Sequence, residues 1–277
     1  MNELPPDPSP DDPRQDPFAR WRTATRARIG LGRAGDALPT AALLDFQAAH
    51  SRARDAVHGR VDFDAIAAQL AGTFAAPPLR VRSRAADRAV YLRRPDLGRR
   101  VHADDLPQLQ AAAAGGAGFE LAFVVADGLS AAAVNAHAAP LLAQLAPRLA
   151  GWRLAPVVLA SQARVALGDE VAEALGARLV AVLIGERPGL SVADSLGIYL
   201  TYAPRVGCLD AARNCISNIH ADGLGYARAA DTLCWLLDEA RRLRLTGVAL
   251  KLDAPPASLG NSGTSITSGD IGSSSHE

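Results

Sequence analysis

The feature that most restricts the fold of this sequence is a repeated alternation of apolar runs and helix-like segments after residue 79. Four runs have the continuous hydrophobicity of strands that are buried on both faces. They are Phe119–Ala126, Leu154–Ala160, Leu179–Ile184 and Ile198–Tyr202. Helical segments separate them, including a short one expected near Ser191–Leu196. Because strand–helix–strand units build parallel sheets, we predict an α/β domain with a parallel sheet flanked by helices over residues 79–253.

Less regular segments complete this region. Leu79–Arg84 alternates apolar and polar residues and is expected to form a half-buried strand, while residues 89–101 suggest a strand and a turn. A long helix is predicted over Gly225–Leu243, and Gly247–Lys251 is expected to close the sheet.

Residues 17–78 have a different character and are predicted to form a helical N-terminal domain. Apolar residues at helical spacing favour a long helix that is capped by Thr40 and stopped by Gly59. Shorter helices are expected at Phe18–Arg28 and Phe63–Ala71, and two consecutive prolines mark the domain boundary.

The two ends of the chain are predicted to be disordered. Residues 1–16 form an arm rich in proline and acidic side chains, and residues 254–277 form a tail rich in serine and glycine. Such segments hold too few apolar side chains to offset the entropy of ordering the chain.

Charge and cysteine content exclude several classes of function. The 277 residues include 29 basic and 29 acidic side chains, and this zero net charge argues against binding nucleic acid by bulk charge. No apolar run is long enough to cross a bilayer, and the first residues lack the features of a signal peptide, so we expect a cytoplasmic location. The three cysteines are too few and too widely spaced for a disulfide framework or a zinc site.

The turns that follow the predicted strands contain groups that suit ligand binding. They are Asp127-Gly128, Ser161-Gln162, Gly185-Glu186-Arg187 and, farther on, Asn214-Cys215. Because ligands bind beyond the carboxyl ends of parallel strands, these turns predict a ligand crevice at one edge of the sheet. Asp127 is favoured as a turn residue. For Glu186, a hydrogen bond to a ligand and a surface ion pair with Arg187 are equally compatible with the sequence.

Motifs typical of a self-sufficient enzyme are missing from the sequence. It contains no GxSxG, HExxH, paired CxxC or Gly-Lys-Ser/Thr phosphate-binding motif, and no Ser-His-Asp set can be assembled. We therefore expect no catalytic residue on this chain, and a protein that binds rather than performs the chemistry alone.

Six separate segments, in order along residues 18–252, carry a more specific signal. They are Ala27–Gly35, Phe46–His50 with Ala53–His58, Val125–Ser130, Ile184–Leu190, Arg213–Ile219 and Thr246–Lys251. Together they resemble the small subunit of ethanolamine ammonia-lyase, an adenosylcobalamin-dependent enzyme. The resemblance implies a Rossmann-like domain after the helical N-terminal part. It also implies a large barrel subunit as partner, which holds ethanolamine and handles the radicals during its conversion to acetaldehyde and ammonia.

The same resemblance implies which residues contact the cofactor. The glutamate of the Gly-Glu-Arg-Pro-Gly-Leu turn corresponds to Glu186, and the cysteine of the Arg-Asn-Cys-Ile-Ser-Asn segment corresponds to Cys215. A valine at the start of the helix after the second strand corresponds to Val165, where the local motif is weaker. In related systems an N-terminal extension directs the enzyme into a bacterial microcompartment. The arm here is not an amphipathic helix, so a solvated tail is favoured.

His220 lies in a near-match to the Asp-x-His-x-x-Gly motif that places a histidine below cobalt in many cobalamin proteins. Here Asn218 replaces the aspartate that would orient the ring. We therefore do not expect His220 to be an axial ligand, and the resemblance implies that the cofactor keeps its own base on cobalt.

Two other functions remain open at this point. One is a stand-alone Rossmann-like module that binds a small molecule or corrinoid without a catalytic partner. The other is a hydrolase or transferase that uses Asp127 or Cys215, which is weaker because no base is placed to activate either group.

Overall fold

The computed structural model describes residues 16–114 and 118–251. Within these residues the chain forms one six-stranded sheet with helices on both faces. The strands are β1 (Leu79–Arg82), β2 (Leu121–Ala126), β3 (Val158–Ser161), β4 (Leu179–Gly185), β5 (Leu196–Tyr202) and β6 (Arg213–Ile219). The α-helices are α1 (Ala19–Ala24), α2 (Thr40–His58), α3 (Phe63–Gln69), α4 (Arg88–Arg93), α5 (Leu106–Ala113), α6 (Ala131–Arg148), α7 (Leu167–Leu175) and α8 (Tyr226–Leu243). The 3₁₀ turns are Leu97–Arg99, Ala103–Asp105, Asp210–Ala212 and Gly247–Ala249.

The sheet is mixed, which corrects the prediction of a fully parallel sheet. Its strand order is β1-β3-β2-β4-β5-β6, and the first four of these are parallel to one another. β5 runs antiparallel to β4, and β6 runs antiparallel to β5. The helix expected near Ser191–Leu196 does not form, because the chain between Gly185 and Leu196 is a loop that turns directly back. Without a crossover helix, the next strand returns beside β4 in the opposite direction.

Two further segments differ from their predicted structure. Residues 89–101 form most of α4 and a 3₁₀ turn rather than a strand, and Asp87 caps α4 by accepting a hydrogen bond from the Val90 amide. Gly247–Lys251 contains a 3₁₀ turn rather than a closing strand. The Asn214 side chain holds this turn, since it accepts from the Gly247 amide and donates to the carbonyl of Leu250.

The helices divide the core into two layers. Side chains of α6 and α8 pack on one face of the sheet, together with Leu121, Phe123 and Val125 of β2. Side chains of α5 and α7 pack on the other face against Ala122 and Val124 of the same strand. All six residues of β2 are buried, which explains its uninterrupted hydrophobicity.

The predicted helices at residues 17–78 are present as α1, α2 and α3, although α1 is shorter than expected. Gly59 ends α2 as predicted, but the expected Thr40 cap is wrong, because Pro39 occupies the capping position without a side-chain hydrogen bond. The division into two domains stays a prediction. The predicted disordered tail and residues 1–15 of the predicted arm lie outside the described residues. In the part of the chain that the structure describes, no helix is long and apolar enough to span a membrane.

Candidate functional site

A crevice opens at the carboxyl ends of β2, β3 and β4, as the alternation of strands and helices predicts. It has a volume of about 340 Å³ and is lined by the turns after all three strands and by β5. The lining residues used below are Leu129, Arg164, Val165, Ile184, Glu186 and Tyr199. A second cavity of about 450 Å³ shares Arg164, Val165 and Tyr199 with the crevice and extends toward Arg99 and Asp210. Three turns distant in sequence therefore build one ligand-sized depression.

Two glycines set the closest main-chain contact of the crevice. A Cβ at Gly128 would lie 2.4 Å from the Gly185 carbonyl oxygen, and a Cβ at Gly185 would lie 2.1 Å from the Ser130 carbonyl oxygen. Gly128 also has a φ of +58°, which disfavours L side chains. The Leu129 amide then donates to the Gly185 carbonyl at 2.9 Å. These contacts join the turn after β2 to the end of β4 and bring Glu186 to the crevice.

Glu186 is held by Ser195, just before β5, and by Asn218 of β6 rather than by Arg187. Its Oε2 atom accepts hydrogen bonds from the Ser195 hydroxyl and, at 3.2 Å, from the Asn218 amide. Its amide donates to the Ser195 carbonyl at 2.9 Å. Within the described residues Oε1 accepts no hydrogen bond and Glu186 forms no ion pair. The side chain is thus oriented, half-buried and still able to accept from a ligand.

A β-bulge in β6 places the amide that binds Glu186. Leu196 pairs with Ile219 and Ile198 pairs with Ile216, so β6 has one extra residue between these pairs. Asn218 lies in this bulge with a φ of +64°, in the left-handed region that asparagine tolerates better than most residues. The roles of Ser195 and Asn218 were not predicted, and the only sequence signal for them is the Ser/Asn content of the two segments.

His220 is held by hydrogen bonds within the fold, and the expectation that it is not an axial ligand stays a prediction. It is buried, and its Nδ1 atom accepts from the Asp222 amide at 3.3 Å. The ring proton therefore lies on Nε2, which donates to the Asn218 side-chain oxygen at 2.9 Å. Both nitrogens are used, and the histidine supports the bulge that orients Glu186.

Val165 reaches the crevice from the turn after β3. It is half-buried, packs against the core cluster of α5 and α7, and presents apolar surface in both cavities. The preceding residue, Arg164, stacks on Tyr91 with 4.3 Å between the guanidinium carbon and the ring centroid. The structure therefore brings Val165 and Glu186 together in one crevice.

Cys215 lies inside β6 and not in a loop at the rim, which corrects its predicted position. It pairs with Tyr199 across the antiparallel strands, on the sheet face that packs against α7. It is exposed, and it neighbours the crevice through Tyr199 instead of lining it. Partial desolvation raises the pKa of the Cys215 thiol, and burial raises the pKa of Tyr199 to about 12. Both groups are therefore neutral at physiological pH.

Asp127 is a structural carboxylate, as its place in an Asp-Gly turn suggests. Its two oxygens accept from the amides of Gln162 and Ala163, each at 2.8 Å, and the Arg88 guanidinium lies 3.7 Å away. Burial raises the pKa of Asp127 despite these partners. The residue ties the turn after β2 to the turn after β3.

Three buried polar atoms on residues around the crevice lack partners within the described residues. They are the side-chain oxygen of Gln162, the Nε atom of Arg164 and the Nη2 atom of Arg88. Unpaired buried polar groups are rare in native proteins and point to an unfilled contact. Beside the apolar surfaces of Leu129, Val165 and Ile184, these atoms suit a ligand with a broad apolar body and several polar groups.

The fold and the crevice define an α/β protein with a ligand-sized crevice at the carboxyl edge of its sheet. The family model for the ethanolamine ammonia-lyase light chain (EutC) matches residues 15–251. The ethanolamine ammonia-lyase small subunit of Xanthomonas campestris pv. campestris is 55% identical over 255 residues, which cover 91% of this chain and 93% of that protein. The small subunit of Pseudomonas putida is 52% identical over 267 residues, which cover 95% and 96%. The chain belongs to the ethanolamine ammonia-lyase light-chain family, which confirms the resemblance seen in the sequence.

Proposed function

We propose that this chain is the small subunit of an adenosylcobalamin-dependent ethanolamine ammonia-lyase. It binds cobalamin jointly with a large barrel subunit that holds ethanolamine for conversion to acetaldehyde and ammonia. Family membership and the crevice at the carboxyl ends of the parallel strands support this assignment. The complex is expected in the cytoplasm, either free or within a bacterial microcompartment.

The residues of the crevice fit the chemistry of a corrinoid. A corrinoid combines a wide apolar macrocycle with many amide groups, and its site needs apolar walls together with a few placed acceptors and donors. Leu129, Val165 and Ile184 supply apolar wall, and the free Oε1 atom of Glu186 supplies an acceptor. The unpartnered Nε of Arg164 supplies a buried donor.

Each proposed contact residue has a distinct role. Glu186 accepts a hydrogen bond from an amide or hydroxyl of the cofactor, and Val165 packs against its apolar surface. Cys215 gives a small, neutral contact on the open face of β6. When bound, adenosylcobalamin supplies the radical by cleavage of its Co–C bond. This chain orients the cofactor and excludes water, and we propose that the residues that handle substrate lie on the partner.

The hydrolase or transferase alternative conflicts with the geometry. Both oxygens of Asp127 are occupied by main-chain amides, so it is poorly placed to act as a nucleophile or base. The raised pKa of Cys215 keeps its thiol protonated, and its neighbour Tyr199 is no base at neutral pH. A stand-alone binding module remains the second candidate, because the crevice is formed entirely by this chain.

The Glu186→Gln variant tests the site. In the complex of both chains, cobalamin affinity should fall about 10- to 100-fold, because a hydrogen bond to a charged group contributes about 1.5–3 kcal/mol. Equilibrium titration with cyanocobalamin measures the dissociation constant. Glu239→Gln on α8 is the matched control, since Glu239 pairs with Arg242 away from the crevice and should leave affinity unchanged. Unchanged affinity in Glu186→Gln would remove this residue from the site.

The need for a partner is tested by reconstitution. Each chain is purified alone and mixed with adenosylcobalamin and ethanolamine, and acetaldehyde formation is measured. Activity should require both chains and the cofactor. If this chain bound cobalamin alone, and the organism it comes from contained no large barrel subunit, the stand-alone module would be favoured.

A further inference from the structure

Arg164 carries a positive charge in the crevice that the described part of the chain does not neutralise. Its side chain makes one hydrogen bond, from Nη2 to the Tyr91 carbonyl at 3.4 Å, and its Nε atom is buried without a partner. No carboxylate in residues 16–114 or 118–251 lies within ion-pair distance of its guanidinium. The residue is half-buried and lines both adjoining cavities.

Two other arginines near the crevice have a counter-charge, whereas Arg187, which also lines it, has no ion pair within the described residues but is exposed. Arg99 lies 3.7 Å from Asp210. Arg88 lies 3.7 Å from Asp127 and donates to two main-chain carbonyls. Arg164 is therefore distinguished as a half-buried cation without a counter-charge, at the place where the two cavities meet.

The guanidinium of Arg164 is also fixed in position. Tyr91 is fully buried, its hydroxyl donates to the Ala163 carbonyl, and its ring supports the guanidinium at 4.3 Å. A Cβ at Gly98 would lie 3.0 Å from both the Arg164 Cγ atom and the Tyr91 ring, so the backbone there packs closely against the pair. A preorganised arginine loses little conformational entropy on binding a ligand.

A half-buried cation without a counter-ion favours an anionic ligand, and the planar fork of arginine matches the oxygens of a phosphate ester. We propose that Arg164 binds a phosphate ester in the crevice and that, given the function proposed above, this group is the phosphodiester in the nucleotide loop of cobalamin. Arg164 thereby makes the site bind complete cobalamins more tightly than corrinoids that lack the phosphate. Free inorganic phosphate has the same chemistry and is the alternative source.

Corrinoids that differ in the phosphate test this inference in the complex of both chains. Dissociation constants are measured by titration with cobinamide, cobinamide phosphate and cyanocobalamin. The unmodified complex should bind cobinamide phosphate about 10-fold more tightly than cobinamide, as expected for one charge-assisted contact. Arg164→Gln should abolish this ratio, and Arg164→Lys should retain part of it. Arg93→Gln, which removes an exposed charge on α4, should leave the ratio unchanged.

The possible outcomes separate the inference from the function on which it rests. If Arg164→Gln weakens all three corrinoids equally, or none of them, the phosphate contact is wrong while corrinoid binding stands. If the unmodified complex binds none of the three, the proposed function itself fails. If inorganic phosphate raises the melting temperature only when Arg164 is present, and the corrinoid ratio is unaffected by Arg164→Gln, the cofactor assignment is overturned in favour of a free-phosphate site. A melting temperature for each variant shows whether the loss of the Tyr91 contact has disturbed the fold.

Discussion

The parallel and antiparallel halves of the sheet hold their parts of the crevice by different interactions. In the parallel half, the turns are joined by main-chain contact at Gly128 and Gly185 and by hydrogen bonds from main-chain amides to the Asp127 carboxylate. In the antiparallel half, side chains dominate, and Glu186 is oriented by Ser195 and the bulge at Asn218. Close main-chain packing is sensitive to the size of a residue, whereas a polar network is sensitive to its charge and hydrogen bonds.

The charged centre of the antiparallel half is a buried ion pair. Arg213 of β6 binds Asp169 of α7 through two hydrogen bonds of 2.7 Å and also donates to the Thr201 hydroxyl at 2.9 Å. The side chains of Arg213 and Asp169 are 2% and 1% exposed, so neither charge has water as an alternative partner. Since Arg213 lies two residues before Cys215, this pair also fixes the position of Cys215.

Removal of Asp169 should have the largest effect of the changes considered. Asp169→Ala leaves the buried Arg213 charge with only the exposed Asp210 carboxylate, 3.3 Å away, as counter-ion, and we expect a loss of about 3 kcal/mol in the free energy of unfolding. Denaturant unfolding measures the change. Asp64→Ala is the control, because the pair of Asp64 with Arg80 is exposed and should contribute less than about 1 kcal/mol.

A double variant shows whether charge or mere contact matters in the antiparallel half. Replacing Asp169 and Arg213 together by leucine removes both buried charges and should recover much of the lost stability, because isosteric apolar pairs often substitute for buried ion pairs. If Asp169→Ala alone were as stable as the parent chain, the antiparallel half would not be sensitive to charge, and the distinction between the two halves would be contradicted.

A change in size should act most strongly in the parallel half. Gly128→Ala places a methyl group 2.4 Å from the Gly185 carbonyl oxygen and strains a residue with positive φ. We expect a loss of about 2–3 kcal/mol from backbone strain, and weaker cobalamin binding because the crevice must widen. Gly151→Ala is the control for the conformation alone, since its φ of +94° is also positive and its Cβ would meet no atom within 4 Å. Equal losses in the two variants would show that close packing at Gly128 contributes nothing.

The carboxylate of Glu170, which contacts the parallel half, offers a finer test through pH. Glu170 of α7 accepts from the Arg100 guanidinium and from the Val101 amide, and these bonds outweigh burial and lower the pKa of Glu170. A lowered pKa in the folded state stabilises the protein above the unfolded value of about 4.3, and this contribution is lost as the pH falls through the folded value. Glu170→Gln should therefore cost about 1 kcal/mol at pH 7.

The pH dependence of this variant is the informative measurement. The difference in unfolding free energy between the parent chain and Glu170→Gln should shrink as the pH falls below about 5, because the parent carboxylate then becomes protonated. Chemical unfolding at several pH values measures it. A difference that stays constant from pH 7 to pH 3.5 would mean that the effect of Glu170 is not electrostatic.

The parallel half was predictable from the sequence, and the physical reason is local. Strands that are buried on both faces must be apolar throughout, so β2, β3 and β4 and the turns after them can be recognised without knowledge of their partners. The carboxyl-edge rule then places Val165 and Glu186 in one crevice. The predicted role of each as a cofactor contact stays a prediction.

The antiparallel half could not be predicted in the same way. The direction of β5 depends on whether the loop before it forms a crossover helix, and that loop has a sequence compatible with either structure. The place of Cys215 inside β6 follows from pairing with Tyr199, which is a long-range contact without a local signal. The bulge at Asn218 depends on the same pairing. Ser195, Asn218 and His220 thus became supports of Glu186 only through the tertiary fold.

The bulge in β6 has a consequence for how this strand can vary in length. Ile216 and Ile219 both enter the core beneath α6 and α8, although residues three apart in a regular strand point to opposite faces. The extra residue between them restores the common side and simultaneously turns Asn218 toward Glu186. With one residue deleted, the strand could keep its apolar side buried or keep Asn218 aligned with the Glu186 carboxylate, but it could not do both. Relatives that retain both features should therefore preserve the number of residues here even where the side chains between the two isoleucines are exchanged.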